Sequence, residues 1–395
     1  MPGPLSGIRI IDASAVVSGP LAAMVLADQG ADVIKVEPPG RGDSTRQKIN
    51  ARAGMTGLFV NNNRGKRSIV IDMKSEPGLQ IMYDLIRGAD VFIQNWRPGA
   101  AERLGLGESA LRDLNEALIY TSITGYGESG PYRDDRVYDP IVQALTGFVA
   151  LQKNPEFPIH DLVRTLVCDK STAYTVAQAV SAALFARERG SGGQHIKVSM
   201  LDAALAFMWP DGMVDRTLLG DDIHSPFRVT DAYRIWDTAD GQLIYFTNTL
   251  QEIHAVFAAL GHPEWAEEEQ FAAGAIMQPE SREEMGQRIM REFQRFTTEE
   301  LVRRLKEHDV PVAAANSLDE ISRDPQIRHN QTIFEAVHPV YGRYQQARPA
   351  PQFSVTATEP AIPAPLLGEH TDSILSELGY DEARRAALRE AGIAL

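Results

Sequence analysis

Apolar positions along the first half of the chain alternate between two rhythms. Short runs such as Gly7-Ile8-Arg9-Ile10-Ile11-Asp12, Ala31-Asp32-Val33-Ile34-Lys35-Val36, Ser68-Ile69-Val70-Ile71, Val91-Phe92-Ile93-Gln94 and Leu118-Ile119-Tyr120-Thr121-Ser122-Ile123 are β-branched, aromatic and bounded by turn residues. They read as buried strands. Between them, Leu21 to Gln29 and Pro77 to Arg87 read as helices, the first ended by Gly30, which can take the left-handed backbone of a helix end. Strand–helix–strand order with short links implies parallel pairing and right-handed crossovers. The predicted fold class is α/β, with a doubly wound, mainly parallel, Rossmann-like large domain. Ligands of such sheets bind at the carboxyl ends of the strands. The segments there are Ala13 to Pro20, Glu37 to Arg46, Asn95 to Gly99 and Thr124 to Tyr132.

The longest helical pattern is Ala173 to Ala186, entered through Cys168-Asp169-Lys170-Ser171-Thr172. A turn at Gly190-Ser191-Gly192-Gly193 leads into a strand at Gln194 to Ser199. Regularity then falls, with Pro210, Gly212, Gly220 and Pro226 marking a linker. A hairpin about Asp240-Gly241 follows, then helices near 250–260, 281–296 and 298–308, a strand-like stretch at 330–358 and a helix-rich tail from Pro365. The expected organisation is a large domain over 1–205, a linker over 206–230, a small α+β domain over 231–325, and a return to the large domain over 326–395.

Composition narrows the function. With 44% hydrophobic and 23% charged residues the chain is globular, and neither a signal peptide nor a membrane span is legible, which points to the cytoplasm. A formal charge of −14 opposes general nucleic-acid binding. The single cysteine, Cys168, leaves no intramolecular disulfide and no cysteine-based zinc site, and no H-E-x-x-H, Walker loop or G-x-S-x-G occurs. Charge is uneven, however. Residues 41–103 hold eleven Lys/Arg against six Asp/Glu, a local excess of +5 that would suit a small polyanion. Gly125-Tyr126-Gly127-Glu128-Ser129-Gly130 has G-x-G-x-x-G spacing, but Pro131 follows in place of a helix, so it reads as a tightly turned loop.

Asp169 stands where the long helix begins. It reads first as an N-cap, accepting from unpaired backbone N–H groups and favoured by the helix dipole, both of which keep it ionised. An ionised, positioned carboxylate is also able to attack an acyl carbon. Cys168 reads as a small buried side chain. His160 and His195 read as structural.

The motifs then carry a resemblance. Leu5 to Asp12, Gly19-Pro20, Leu26 to Pro38, Gly42-Asp43 with Arg46, Asn63 to Ser68, Asp72-Met73-Lys74, Asn95 to Gly99, Arg103 to Leu106, Gly125 to Pro131, Tyr138-Asp139, Asp169-Lys170, Gly193-Gln194-His195, Met200 to Ala203 and Leu366 to Thr371 resemble, in order, the class III CoA-transferases. That group also contains α-methylacyl-CoA racemases. The resemblance implies an enzyme moving CoA from an acyl-CoA donor to a carboxylic acid, with Asp169 as nucleophile and Tyr138 at the active site. It implies CoA and its esters as substrates with no permanently bound cofactor and no metal, and an interlocked homodimer that binds neither nucleic acid nor membrane. Val16, Arg41, Arg46, Lys74, Asn95, Trp96, Arg97, Arg103 and Arg136 are the expected CoA-binding residues, with Arg64, Lys66 and Arg67 behind them. Racemases of the group use a His where this chain has Arg136-Val137-Tyr138-Asp139, which favours transfer over racemisation. The alternatives are an acyl-CoA racemase, epimerase or lyase-type isomerase on the same scaffold, or a non-catalytic CoA-ester binder. Formyl-CoA transferases carry a Gln at the position of Val17 and a run of glycines in the second domain. This chain has neither, which hints at a larger or less polar acyl group.

Overall fold

The computed structural model of the chain describes residues 3–47, 51–152, 160–223, 233–271, 279–356 and 362–395. Two compact units divide it: Met1–Met213 with Gln331–Leu395, and Val214–Asn330.

The large unit is built on β1 (Arg9–Asp12), α1 (Ser18–Ala27), β2 (Asp32–Glu37), α2 (Gly57–Asn63), β3 (Lys66–Val70), α3 (Glu76–Arg87), β4 (Val91–Gln94), β5 (Ile119–Thr124), α4 (Asp139–Thr146), α5 (Val167–Ala186), β6 (His195–Ser199) and α6 (Met200–Gly212). The six strands form one parallel sheet in the order β3-β2-β1-β4-β5-β6. This is the doubly wound order that reverses direction between β1 and β4, where the chain leaves a crevice beyond the strand ends.

Both faces are covered, and the apolar residues of the strands pack against helices on either side. On one face α1 and α5 pack through Leu21, Ala22, Leu26, Ala173, Val176 and Val180 onto Ile10, Val33, Ile93 and Ile119. On the other, α3 lays Ile81, Met82, Leu85 and Ile86 on Ile11, Ile34 and Phe92. Helix α3 starts where Ser75 accepts from the Gly78 N–H, with Pro77 in its first turn, and stops at Gly88.

The long helix begins six residues before the expected start, at Val167. Helix α6 also runs on to Gly212, with Pro210 in its last turn, where a linker from 206 was expected. Part of that linker, 224–230, lies outside the described residues.

In the small unit, β7 (Trp236–Asp237) and β8 (Gln242–Tyr245) make the expected hairpin, with Leu243 opposite Trp236. A third antiparallel strand, β9 (Val312–Ala314), completes the sheet. Helices α7 (Leu250–Leu260), α8 (Pro279–Phe293) and α9 (Thr298–Glu307) surround a core of Phe257, Phe271, Phe293, Leu301 and Leu305. A reciprocal capping box between Thr249 and Glu252 opens α7.

The chain returns to the large unit as the hairpin β10 (Ile333–His338) and β11 (Gly342–Ala347), then α10 (Thr371–Glu377) and α11 (Glu382–Glu390). Ile374, Leu375 and Leu388 of these last helices join the α3 face of the core. No described helix is long and apolar enough to cross a membrane.

Candidate active site

Asp169 is the third residue of α5, not its cap. The cap position falls on Leu166, which has no side-chain oxygen to offer. The orphan N–H groups of Cys168 and Asp169 donate instead to Asp139 Oδ2, at 2.7 and 2.9 Å. Asp139 is buried at the start of α4, and its other oxygen accepts from Gln143 Nε2 at 2.6 Å. Gln143 Oε1 in turn accepts from the Val163 N–H at 2.9 Å. A helix that must begin without a polar cap thus takes one from a neighbour thirty residues away.

That arrangement frees the Asp169 carboxylate to face α1. The N-cap of α1 is Val17, which again supplies no side-chain acceptor. The Ser18 hydroxyl and backbone N–H act on Asp169, so its carboxylate occupies the anion-favouring end of α1. Burial is the largest influence on its acidity, followed by the negative charge of Asp139. Together they push Asp169 up to about 6, with the Ser18 donors pulling the other way. The capping role expected of Asp169 at its own helix end is corrected, and it is the Ser18 donors of α1 that favour its ionised form. Asp169 remains ~90% ionised at pH 7, but as an unusually basic carboxylate. Its neighbour Cys168 is fully buried, and burial, then the two carboxylates, push its thiol up to about 12. The inert reading of Cys168 fits this setting.

The segment leading into α1 is held at every turn. Ser14 N donates to Asp12 Oδ1 at 3.0 Å, and Ser14 O accepts from Lys35 Nζ at 3.0 Å. Asn95 uses both ends of its amide on Ala15, accepting from its N–H at 2.9 Å and donating to its carbonyl at 2.7 Å. Val16, a β-branched residue at φ +72°, faces Asp43 with its N–H at 3.3 and 3.4 Å from the two carboxylate oxygens. Gly19 packs so closely on Ser14 that an added Cβ would lie 2.3 Å from it. Asn95 and Val16, expected to touch CoA, are thus first of all parts of this turn.

The other expected CoA residues separate cleanly. Arg46 is buried and spent. It grips both Glu37 oxygens at 2.7 Å, reaches Pro365 O at 3.1 Å, and lies 3.6 Å over the Phe59 ring. No face of it is left for a phosphate. Lys66 is buried on Asp12, Arg64 is paired with Asp28, and Arg67 with Asp32 and Glu377. Arg41, Lys74, Arg97, Arg103 and Arg136 are exposed, and their side chains hold no ion pair among the described residues. All five follow the carboxyl ends of β2, β3, β4 or β5. Trp96 is half-buried with its ring edge-on to Phe92. Gly99, at φ +78°, lets the chain pass close to Arg103, whose Nη1 would be 3.1 Å from a Cβ there. Arg133, which sequence reasoning passed over, approaches the same glycine.

Tyr138 is exposed and sits in extended conformation directly before Asp139. His195 lies on β6, 2.8 Å from Ser122 Oγ and edge-on to Tyr120, in a structural setting; His160 is exposed. The 125–131 loop is tightly turned, with Gly127 N donating to Thr124 Oγ1 at 3.0 Å. Among the described residues no cluster of potential metal ligands occurs.

The comparison with protein families settles the lineage. Residues 5–371 match the family model described as CoA-transferase family III. The chain belongs to CoA-transferase family III. As its relatives' names and its family agree, it is a CoA-transferase. It is 32% identical to the formyl-CoA:oxalate CoA-transferases of Shigella sonnei (strain Ss046) and Escherichia coli O139:H28 (strain E24377A / ETEC), across 99% of this chain and 99% of each relative. Among solved structures, a CAIB/BAIF family protein from Brucella suis superposes with a TM-score of 0.83 at 27% identity, over 96% of this chain and 100% of that one. Rv3272 from Mycobacterium tuberculosis superposes with a TM-score of 0.80 at 29% identity, over 95% and 99%.

Proposed function

We propose that this CoA-transferase works by covalent catalysis at Asp169. The observation that carries the reading is a buried carboxylate, raised to about 6, aimed at the N-terminus of α1 and without a cationic partner among the described residues. A carboxylate tied to Lys or Arg would be a poor nucleophile; this one is held by neutral donors alone.

The steps balance without ATP or a metal. A carboxylate oxygen of Asp169 attacks the donor thioester carbon, the C–S bond breaks, and CoA leaves as thiolate, giving a mixed anhydride. The thiolate attacks the Asp169 carbonyl, which forms an aspartyl-CoA thioester and releases the donor acid as carboxylate. The acceptor carboxylate attacks that thioester, and the returning thiolate then takes the acceptor acyl group and frees Asp169. Each step passes through an oxyanion, which backbone donors at a helix N-terminus stabilise without reorganisation. The formyl-CoA:oxalate relatives support small acids as substrates, while buried Val17 favours a less polar acyl group than formate. CoA would lie along the strand ends, its phosphates met by Arg41, Lys74, Arg97, Arg103 and Arg136. Trp96 would line the groove, and Tyr138 would border the acyl group.

The enzyme would act as a homodimer. Tyr174 and Phe185, three turns apart on one side of α5, and Phe207 and Trp209 of α6 are large exposed apolar residues of the kind an obligate interface covers. Sedimentation at micromolar concentration should give twice the 43.5 kDa chain mass.

Replacing Asp169 by Ala should reduce CoA transfer, assayed over a panel of acyl-CoA donors and acids, by ~10³-fold or more. Hydroxylamine added during turnover should leave a hydroxamate on Asp169, detectable by mass spectrometry. Transfer surviving intact in Asp169→Ala would refute the covalent route.

A further inference from the structure

We infer that Lys35 and Lys66 are positioning residues for the Asp169 carboxylate, acting through the Ser14–Pro20 segment that they clamp. This deepens the proposed role of Asp169 and rests on that reading.

Two lysines with no exposed side-chain surface lie under the turn between β1 and α1. Lys66 Nζ donates to Asp12 Oδ2 at 2.7 Å, to Asn63 Oδ1 at 2.8 Å and to the Pro20 carbonyl at 2.8 Å. Its three protons are therefore fully used, and one of them fixes the first turn of α1. Lys35 Nζ holds Asp43 at 3.0 Å and the Ser14 carbonyl at 3.0 Å, with Asp12 at 4.0 Å. The two carboxylates accept from the same turn, Asp12 from Ser14 and Asp43 from Val16, and Asp43 also accepts from Thr45 in the segment after β2. Two cations and two anions thus neutralise one another while gripping Ser14, Val16 and Pro20. Burial by itself would raise Asp12 and Asp43, but the lysines hold both below the usual carboxylate range.

So many buried charges for one short turn require a reason. Their desolvation is expensive, and apolar packing would stabilise the fold as well or better. What the ions provide is directional: they fix a β-branched residue at φ +72° and a helix start with no polar cap. The next residue, Ser18, is the one whose N–H and hydroxyl meet Asp169. Among the described residues the one charge acting on that carboxylate is Asp139 of α4, and it pushes the opposite way to the Ser18 donors. The clamp therefore sets how firmly the nucleophile is held.

The test titrates Asp169 in the full-length protein by carboxylate infrared difference spectra, with Asp169→Asn as the blank. Ser18→Ala defines the effect of losing one donor, an upward shift of the midpoint by about half a unit to one unit. Lys66→Met and Lys35→Met should shift it the same way, lower kcat about tenfold and leave KM for the CoA ester unchanged. If a lysine variant does not fold, Asn95→Ala loosens the same turn at Ala15 without stranding a buried charge, and should also raise the midpoint. An unchanged midpoint in the folded variants overturns the inference. If Asp169→Asn retains transfer, the nucleophile reading fails, while the midpoint still reports on positioning.

Discussion

Two sets of cations lie in the same basic stretch of chain and do opposite work. Arg46, Arg64 and Lys66 are buried, each with its donors directed to carboxylates and backbone carbonyls. Arg41, Lys74, Arg97 and Arg103, with Arg136 beyond the stretch, are exposed beyond the strand ends without a described ion-pair partner. The first set organises backbone, and the second is available for a ligand. The carboxylates divide in the same way. Burial would raise Asp12, Glu37 and Asp43, but cations beside them hold them low. Asp169 is buried beside a second carboxylate and rises. What sets Asp169, the proposed nucleophile, apart from these buried carboxylates is that no opposite charge among the described residues acts on it, since burial is common to all of them.

The largest expected effect tests the buried set. Arg46→Leu would remove the bidentate partner of Glu37, a buried carboxylate then left with the Ser68 hydroxyl, the Asp43 N–H and the charge of nearby Lys35. Removing one partner of a buried pair costs about 3–5 kcal/mol, and urea unfolding should register a loss of that order. A cost under 1 kcal/mol would mean that Arg46 is not the structural cation its contacts make it.

A smaller effect of opposite sign is expected at Asp169. Its folded-state acidity is weakened relative to an unfolded Asp, so the fold prefers the neutral form. The contribution to stability is present below about pH 4 and is lost as pH rises through about 6. Asp169→Asn, which stays neutral, should therefore stabilise the protein by up to about 3 kcal/mol at pH 8. The gain should vanish near pH 4. A gain that did not depend on pH would point to packing instead of charge.

Much of this was legible in the sequence because it depends on local pattern. The strands at 91–94 and 119–123 and the helix at 250–260 follow from apolar runs, turn residues and caps that lie next to them. Of the candidate site, the sequence singled out Asp169 but not its surroundings. Nothing near Asp169 in sequence announces that Asp139 supplies its helix with a cap, because that bond joins residues thirty apart. Nor does Arg46 reveal that Glu37, nine residues earlier, lies alongside it once β2 is laid down. Val16 at positive φ breaks a rule that β-branched residues normally obey. Only the surrounding clamp makes that backbone tolerable, and a clamp assembled from β1, β2, β3 and the turn after β4 is a tertiary fact.

The smallest effect concerns the exposed set, and it discriminates best. Arg103→Ala and Arg136→Ala remove side chains without ion-pair or hydrogen-bond partners among the described residues, so stability should stay within about 0.5 kcal/mol of the parent. If both meet CoA phosphates, each loss should raise KM for the CoA ester about five- to tenfold and leave kcat unchanged, the mark of binding shared by ground state and transition state. The difference from the parent should shrink as salt is raised, since exposed charge contacts are screened over about 10 Å at 0.1 M. Acceptor acids carry no such phosphates, so their KM should not move. A change in kcat would place Arg103 or Arg136 at the chemistry instead of the CoA groove, and a loss of stability would move it into the company of Arg46.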